Sequence, residues 1–433
     1  EFVSSRHFPD DVQGDMLLHN TIGFLGTKQH TLEDDGSGYR SRHRHDLLVS
    51  SDPNFRPVDM EFAPDGSFYL LDWHNVLIGH GQHSARDPLR DHVHGRVYRM
   101  TYPSRPLVEP AKVDGATIPE LLDNLKLPEY RTRYRTRREL RGRSTSEVLS
   151  ALQQWTKGLT KSDPHHEHHL LEALWVSWGL NRVDQSLLSR LLDAKDYRAR
   201  TAAVRVLRYT GHQVENQASL LIKAAGDSHG RVRLEAIAAA SWLSPEHGLP
   251  IVKEAGKFPI DDWIRPVHET ALAHLQGQTI VTEAVAIPET TLEGEAKALF
   301  VKGAEVFRRE GHCATCHQEN GMGLPAAQFP PIAGTRWAQG NEERLIKLTL
   351  NGLIGPIEVK GINYPGQVPM TQFRGLSDIE IAAVLTYVRN AWGNKASVIT
   401  PAKVKAVRST IKNHTGFYEA SNLLKAHPHK YAN

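Results

Sequence analysis

The two cysteines of this 433-residue chain stand together as Cys313-Ala314-Thr315-Cys316-His317. C-x-x-C-H is the pattern by which two thiols add to the vinyl groups of one haem, with the next histidine held beneath the iron as proximal axial ligand. The two-residue gap lets both sulfurs reach one edge of the macrocycle. A bare C-x-x-C would leave thioredoxin-like redox chemistry or half of a zinc site in play. No second cysteine pair completes a zinc site, and no βαβ pattern surrounds this one. The cofactor expected is one covalent haem c, held by Cys313, Cys316 and His317.

Such an iron needs a sixth ligand, and two methionines follow His317. Met322 comes so soon that its chain cannot easily pass round the haem edge, and it reads as packing. Met370 lies in Gln367-Val368-Pro369-Met370-Thr371, a loop able to cover the distal face. His317 and Met370 are therefore the expected metal ligands. A thioether favours Fe(II) over Fe(III), which raises the potential and suits an electron carrier. With both axial positions filled, oxygen binding is disfavoured. Phe329-Pro330-Pro331-Ile332 falls where a backbone carbonyl can accept from the His317 Nδ1–H and fix the ring. Pro330 is the first choice for that carbonyl and Pro331 the alternative.

These groups must be positioned by helices. Ala296, Leu299, Phe300, Gly303 and Phe307 share one helical face, and Gly303 permits another helix to cross closely. Ser377-Asp378-Ile379-Glu380 reads as a capping box opening a second helix, with Ile381, Val384, Leu385, Val388 and Trp392 as its buried stripe and Gly393 as its stop. Residues 292–395 resemble a class I mono-haem cytochrome c domain in the haem motif, in Gly321-Met322-Gly323-Leu324-Pro325, in Phe329-Pro330-Pro331-Ile332-Ala333-Gly334, in Met370, and in Ala382 to Asn390. That resemblance implies an all-α domain.

The rest of the chain is of other kinds, and the expectation is a multidomain protein. Residues 1–104 read as strands such as Ser67 to Leu71 and Arg96 to Met100, broken by the turns Asp34-Asp35-Gly36, Pro64-Asp65-Gly66 and Gly79. Residues 105–164 read as a solvated linker with helical patches. Between Lys126 and Arg143 it carries eight Lys/Arg against two Glu. Residues 165–280 repeat: His169 to Leu174, Arg200 to Val204, Arg233 to Ile237 and His268 to Leu272 recur at about 30–34 residues. They resemble HEAT-type helical hairpins, which bury their apolar faces by stacking and usually serve as scaffold. Residues 396–433 read as a Lys- and His-rich tail with one helix after Pro401.

The opening segment resembles the last blades of a β-propeller in Asn54 to Asp59, Pro64-Asp65-Gly66, Leu71-Asp72-Trp73, Ile78-Gly79-His80 and His94 to Arg99. The type is that of glucose/sorbosone dehydrogenase-like domains in the multidomain haem proteins of planctomycetes, where propeller, helical repeats and cytochrome c follow in this order. A blade takes about 40–45 residues and a ring at least four blades. Residues 1–104 therefore supply only a partial β-propeller, and any quinone cofactor or calcium would sit on missing blades. His74, His80, His83, His92 and His94 crowd together with Asp72, Asp87 and Asp91. They could bind a metal or act as a base on a sugar hydroxyl, although capping of turns is the plainer reading. His165-His166-Glu167-His168-His169 reads as a solvated helix start.

Composition sets the outer bounds. With 40% hydrophobic and 23% charged residues the chain is an ordinary globular protein, and its two cysteines exclude a disulfide scaffold. A net charge of +3 gives no case for nucleic acid as partner, and no run reaches the roughly 18 apolar residues of a membrane span. Glu1 is not an initiator methionine and no signal-peptide pattern follows, so residue 1 reads as a processing site, a cloning boundary or a truncation. Covalent haem attachment is completed outside the energy-transducing membrane, which points to the periplasm or its equivalent. The function expected is electron transfer from a propeller-type sugar or alcohol dehydrogenase site to a redox partner protein. The alternative is a non-catalytic haem-bearing scaffold that relays electrons among other subunits, docked through the N-terminal blades and repeats.

Overall fold

The computed structural model describes residues 1–78, 87–278, 287–309, 311–366 and 368–429. The N-terminal part is two antiparallel meanders: β1 (Met16–Asn20), β2 (Gly26–Asp35) and β3 (Gly38–Val49), then β4 (Pro57–Phe62), β5 (Phe68–Asp72) and β6 (Arg96–Met100). The β2–β3 hairpin closes over Gly36-Ser37, with Gly36 at φ +60°, and pairs Asp35 with Gly38. In β5 the two-residue period buries Phe68 and Leu70 and turns Tyr69 and Leu71 outward. Phe68 and Leu70 join Val3, Leu17, Leu25, Phe55 and Phe62 in one core. Each sheet has three strands where a propeller blade has four, and the described residues form no ring.

The middle of the chain is helical: α1 (Ile118–Asn124), α2 (Tyr130–Arg141), α3 (Thr145–Gly158), α4 (His166–Gly179), α5 (Gln185–Leu192), α6 (Tyr197–Thr210), α7 (Gln217–Ala225), α8 (Gly230–Ala240), α9 (Pro245–Ala255) and α10 (Ile264–Leu275). One apolar core runs through all of it, from Ala116 to Leu275. The expected linker is therefore corrected: Leu121, Leu122, Leu140, Val148 and Leu152 of α1–α3, with Leu125 just after α1, belong to the same core as the repeats. A shared arginine device explains why. Arg133, Arg200 and Arg233, each the fourth residue of its helix, donate from Nη1 to the two carbonyls five and six residues back, those of Leu127 and Pro128, Ala194 and Lys195, and Asp227 and Ser228. α2 is thus in register with α6 and α8. Its basic run is partly paired rather than wholly solvated, because Arg133 and Arg137 reach the fully buried Glu172 at 2.8 and 2.5 Å while Arg138 and Arg141 are exposed. The histidine run at α4 is also partly interior: His169 is buried beside Trp155.

The C-terminal part contains α11 (Gly294–Arg308), α12 (Cys313–His317), α13 (Arg336–Gln339), α14 (Glu342–Asn351), β7 (Leu353–Ile354), β8 (Ile357–Val359), β9 (Ile362–Tyr364), α15 (Asp378–Asn390), α16 (Pro401–Thr410), β10 (Tyr418–Glu419) and α17 (Ala420–Ala426). α11 crosses α15 at Gly303, where a Cβ would lie 2.1 Å from the Ala383 carbonyl oxygen. α15 opens with the expected capping box of Ser377 and Glu380. It is buried all round from Ile381 to Arg389, beyond the expected stripe, because α16 covers a further face with Val404, Val407 and Ile411. The helix stops at Asn390, and Trp392 at φ +55° turns the chain before Gly393.

Residues 396–429 do not form a loose tail: α16 and α17 put Val404, Val407, Ile411, Ala420 and Leu423 into the same core, and β10 pairs in parallel with β7. Nor is the domain all-α, since β8–β9 is a small hairpin. Among the described residues no helix is long and apolar enough to cross a membrane.

Candidate functional site

α12 carries both thiols and His317 on little more than one turn, and Gln318 at φ +60° ends it. The chain then doubles back, with Gly323 N–H donating to the His317 carbonyl at 2.9 Å, and Ile332 and Ala333 N–H to the Gly321 carbonyl at 2.8 and 3.0 Å. That return places the Pro330 carbonyl 2.9 Å from His317 Nδ1. A carbonyl can only accept, so Nδ1 holds the proton and Nε2 keeps its lone pair for a ligand. Burial pulls His317 below its ordinary pKa against the opposing pull of Pro330, which favours the neutral, ligating ring.

Two glycines make the turn feasible. A Cβ at Gly323 (φ +68°) would stand 2.4 Å from the Phe329 oxygen and 2.6 Å from the Pro330 oxygen. One at Gly321 would stand 2.7 Å from the Trp392 ring, whose Nε1 donates to the Glu319 carbonyl at 2.9 Å. Asn394, buried, fixes the next stretch. Its Oδ1 accepts from Gly334 N–H at 2.6 Å, and its Nδ2 donates to the Val388 carbonyl at 2.6 Å. Asn394 belongs to no short motif, and only its partners mark it.

The thiols are unlike those of a dithiol redox enzyme. Burial pushes Cys313 up to about 12 and Cys316 to about 11, the reverse of the lowered thiol pKa that such chemistry uses. Both are unpaired with each other, and among the described residues no group of three or more His, Cys, Asp or Glu could hold a metal ion. Cys313, Ala314 and Met370 all pack against the domain core that α11 and α15 form.

Met370 is held by its backbone: its N–H donates to the Leu353 carbonyl at 2.8 Å and its carbonyl accepts from Leu353 N–H at 3.1 Å. Gly352 at φ +80° allows this approach, since a Cβ there would lie 2.4 Å from the Met370 oxygen. Met322, expected as packing, is instead 51% exposed. Gln367 lies outside the described residues.

The N-terminal histidines make local bonds. Asp72 Oδ1 accepts from His74 N–H at 2.8 Å, and Asp91 Oδ2 from His94 Nδ1 at 2.8 Å. His74 and His94 meet edge to face, while Asp87 Oδ1 accepts from Leu89 N–H at 2.9 Å. His92 is exposed, and Gly79, His80 and His83 lie outside the described residues.

Three family models match parts of the chain: a domain of unknown function (DUF7133) over residues 1–104, HEAT repeats over 183–273 and Cytochrome c over 300–392. Cytochrome c-552 of Thermus thermophilus is 43% identical over 116 residues, covering 25% of this chain and 84% of that protein. The cytochrome c subunit of the alcohol dehydrogenase (quinone) of Gluconacetobacter polyoxogenes is 35% identical over 25% of this chain and 23% of that protein. The fructose dehydrogenase cytochrome subunit of Gluconobacter japonicus is 27% identical over 38% of this chain and 35% of its own length. Two half-buried thiols and a histidine poised to ligate fit the group these cytochromes carry, one covalent haem c on Cys313 and Cys316. Nearly the whole of a small cytochrome aligns at this identity, and through residues 300–392 the chain belongs to the cytochrome c family.

Proposed function

We propose that this protein is an extracytoplasmic electron carrier, with His317 and Met370 as axial ligands, that takes electrons from a sugar- or alcohol-oxidising site and passes them to a redox partner protein. The observation that carries the ligand assignment is the His317 Nδ1–Pro330 hydrogen bond, which leaves Nε2 with its lone pair on the helix that carries both thiols. Bound haem c supplies one-electron Fe(II)/Fe(III) chemistry. The protein's share is to hold the imidazole in one tautomer, to seat Met370 on a strand-like bridge to Leu353, and to pack apolar side chains against Met370 and Cys313. Those features favour a low change of geometry between oxidation states, as an electron carrier needs.

The dehydrogenase connection is supported by the similarity to cytochrome subunits of an alcohol and a fructose dehydrogenase. On that reading a quinone cofactor or calcium belongs to the sugar- or alcohol-oxidising site. The extracytoplasmic assignment is supported by the covalent attachment pattern alone.

The test uses the ferric holoprotein. Met370→Leu abolishes the weak sulfur–iron absorption at the red edge of the visible spectrum and lowers the midpoint potential, within the roughly 0.8 V that axial ligands span; Met322→Leu does neither. Loss of the band in Met322→Leu instead would reverse the assignment. For the donor, candidate sugars and alcohols are added with a quinone-dependent dehydrogenase and the haem α-band is followed. A second reading, a relay scaffold within a larger assembly, is favoured by the helical array, which carries exposed Tyr209 and Trp242. It predicts a stable complex on native purification and no reduction by substrate in isolation.

A further inference from the structure

The N-terminal module touches both loops that flank the haem site, at three separate places. Gly23 lies so close to residues 324–329 that a Cβ there would stand 2.8 Å from Ala327 Cβ and oxygen and 3.2 Å from the Phe329 ring. Val368, two residues before Met370, packs against the N-terminal core of Leu17, Leu25 and Phe55. Gln372, two residues after Met370, donates from Nε2 to Asp87 Oδ2.

The loop that presents Gly23 is held by its own hydrogen bonds and by those to its neighbours. Asn20 Oδ1 accepts from the backbone N–H of Ile22, Gly23 and Phe24 at 3.1, 2.9 and 2.9 Å. Thr21 Oγ1 donates to the Pro57 carbonyl at 2.7 Å, and the fully buried Arg56 donates from Nη1 to the Thr21 carbonyl at 3.1 Å. At its far end the β2–β3 hairpin is tied to the repeats. Ser37 N–H and Oγ donate to Asp261, both at 2.7 Å, Tyr197 Oη donates to Asp34 at 2.8 Å, and Arg231 lies over the Tyr39 ring at 3.6 Å. β2 thus links the repeat array at one end to the haem loops at the other.

We propose that residues 1–104 clamp the Met370 loop at Val368 and through Asp87 and Gln372, and abut the 324–329 loop through Gly23, so that these positioning residues keep Met370 on the iron against exogenous ligands. The inference rests on Met370 being the distal ligand. Holding a loop on both sides of a ligand lowers the population in which that ligand is released, and an external ligand binds through that population.

The probe is imidazole added to the full-length ferric holoprotein, with its binding rate followed by loss of the sulfur–iron band. Gly23 is not in the left-handed region, so Gly23→Ala acts by its contacts with Ala327 and the Phe329 ring. Gly23→Ala, Asp87→Ala and Gln372→Ala should each raise the binding rate at least about fivefold, the low end of ordinary coupling between sites. Val93→Ser, at the most exposed large hydrophobic side chain among the module's described residues, should leave it unchanged. Native circular dichroism and an intact band before imidazole is added show that a variant is folded, and the two polar truncations keep the test open if Gly23→Ala does not fold. Wild-type rates in folded Asp87→Ala and Gln372→Ala overturn the clamp while leaving the ligand assignment standing. A band that survives Met370→Leu overturns the ligand assignment, and the clamp with it.

Discussion

At the scale of single residues, the chemistry depends on what a carbonyl and two glycines do to one imidazole. His317 Nδ1–H bonded to Pro330 is more electron-rich than a free ring, which favours Fe(III). Gly323→Ala places a Cβ against the Phe329 and Pro330 oxygens and must push that carbonyl away. The midpoint potential should therefore rise, opposite in sign to the fall expected for Met370→Leu, and spectroelectrochemical titration of both variants checks the pair. The haem motif and the acceptor carbonyl are readable from local order because bond lengths limit how far a side chain reaches. Asn394 is not, because its work is to satisfy groups from Gly334 and Val388 that are adjacent only after folding.

At the scale of elements, the crossing of α11 and α15 sets the haem domain. Gly303→Ala forces the helices apart at the Ala383 carbonyl and should destabilise the domain by about 1–3 kcal/mol, the usual cost of overpacking, measured by denaturant unfolding. The start of α15 has its own signature. Hydrogen bonds from the Ser377 hydroxyl, Arg309 and the Ser377 N–H hold Glu380 at about 2, well below the ordinary 4.5. A depressed carboxylate stabilises the fold fully above its unfolded pKa and loses that contribution as pH falls through the folded one. Thermal stability should accordingly drop between about pH 4.5 and 2, and Glu380→Gln should flatten that part of the profile while lowering the plateau above it. The capping box and the helix faces were legible because they obey local periodicity. The full burial of α15 was not, because α16 approaches from beyond the expected domain end.

At the scale of the whole molecule, arginines join the parts. Arg133 and Arg137 of α2 converge on Glu172 of α4, with no water-exposed surface left on that carboxylate. Burial works to raise its pKa, but His168 and the two guanidiniums hold it below the ordinary value. Glu172→Gln leaves two largely buried cations uncompensated and should destabilise the array by about 3–5 kcal/mol, seen as a lowered unfolding midpoint with the haem spectrum unchanged at room temperature. Elsewhere Arg6 binds Glu129, Arg131 binds Glu1 and Arg135 binds Glu61, so the same basic helix seats the N-terminal module. A run of positive charge read from composition resembles a solvated segment, since sequence shows the cations and not the distant carboxylates that neutralise them.

By itself the amino-acid order determined the haem motif, the capping box, the glycine crossing and the repeat, all of which are spelled within one or two turns or at a fixed period. Tertiary structure alone decided that α1–α3 continue the repeat array, that α16 and α17 complete the haem domain's core, and that the N-terminal module meets the 324–329 loop at Gly23 and the residues flanking Met370 through Asp87 and its apolar core. Short-range steric and hydrogen-bond rules act between neighbours in the chain. Which apolar faces meet is a choice among many distant partners, and it is made only when packing closes the core.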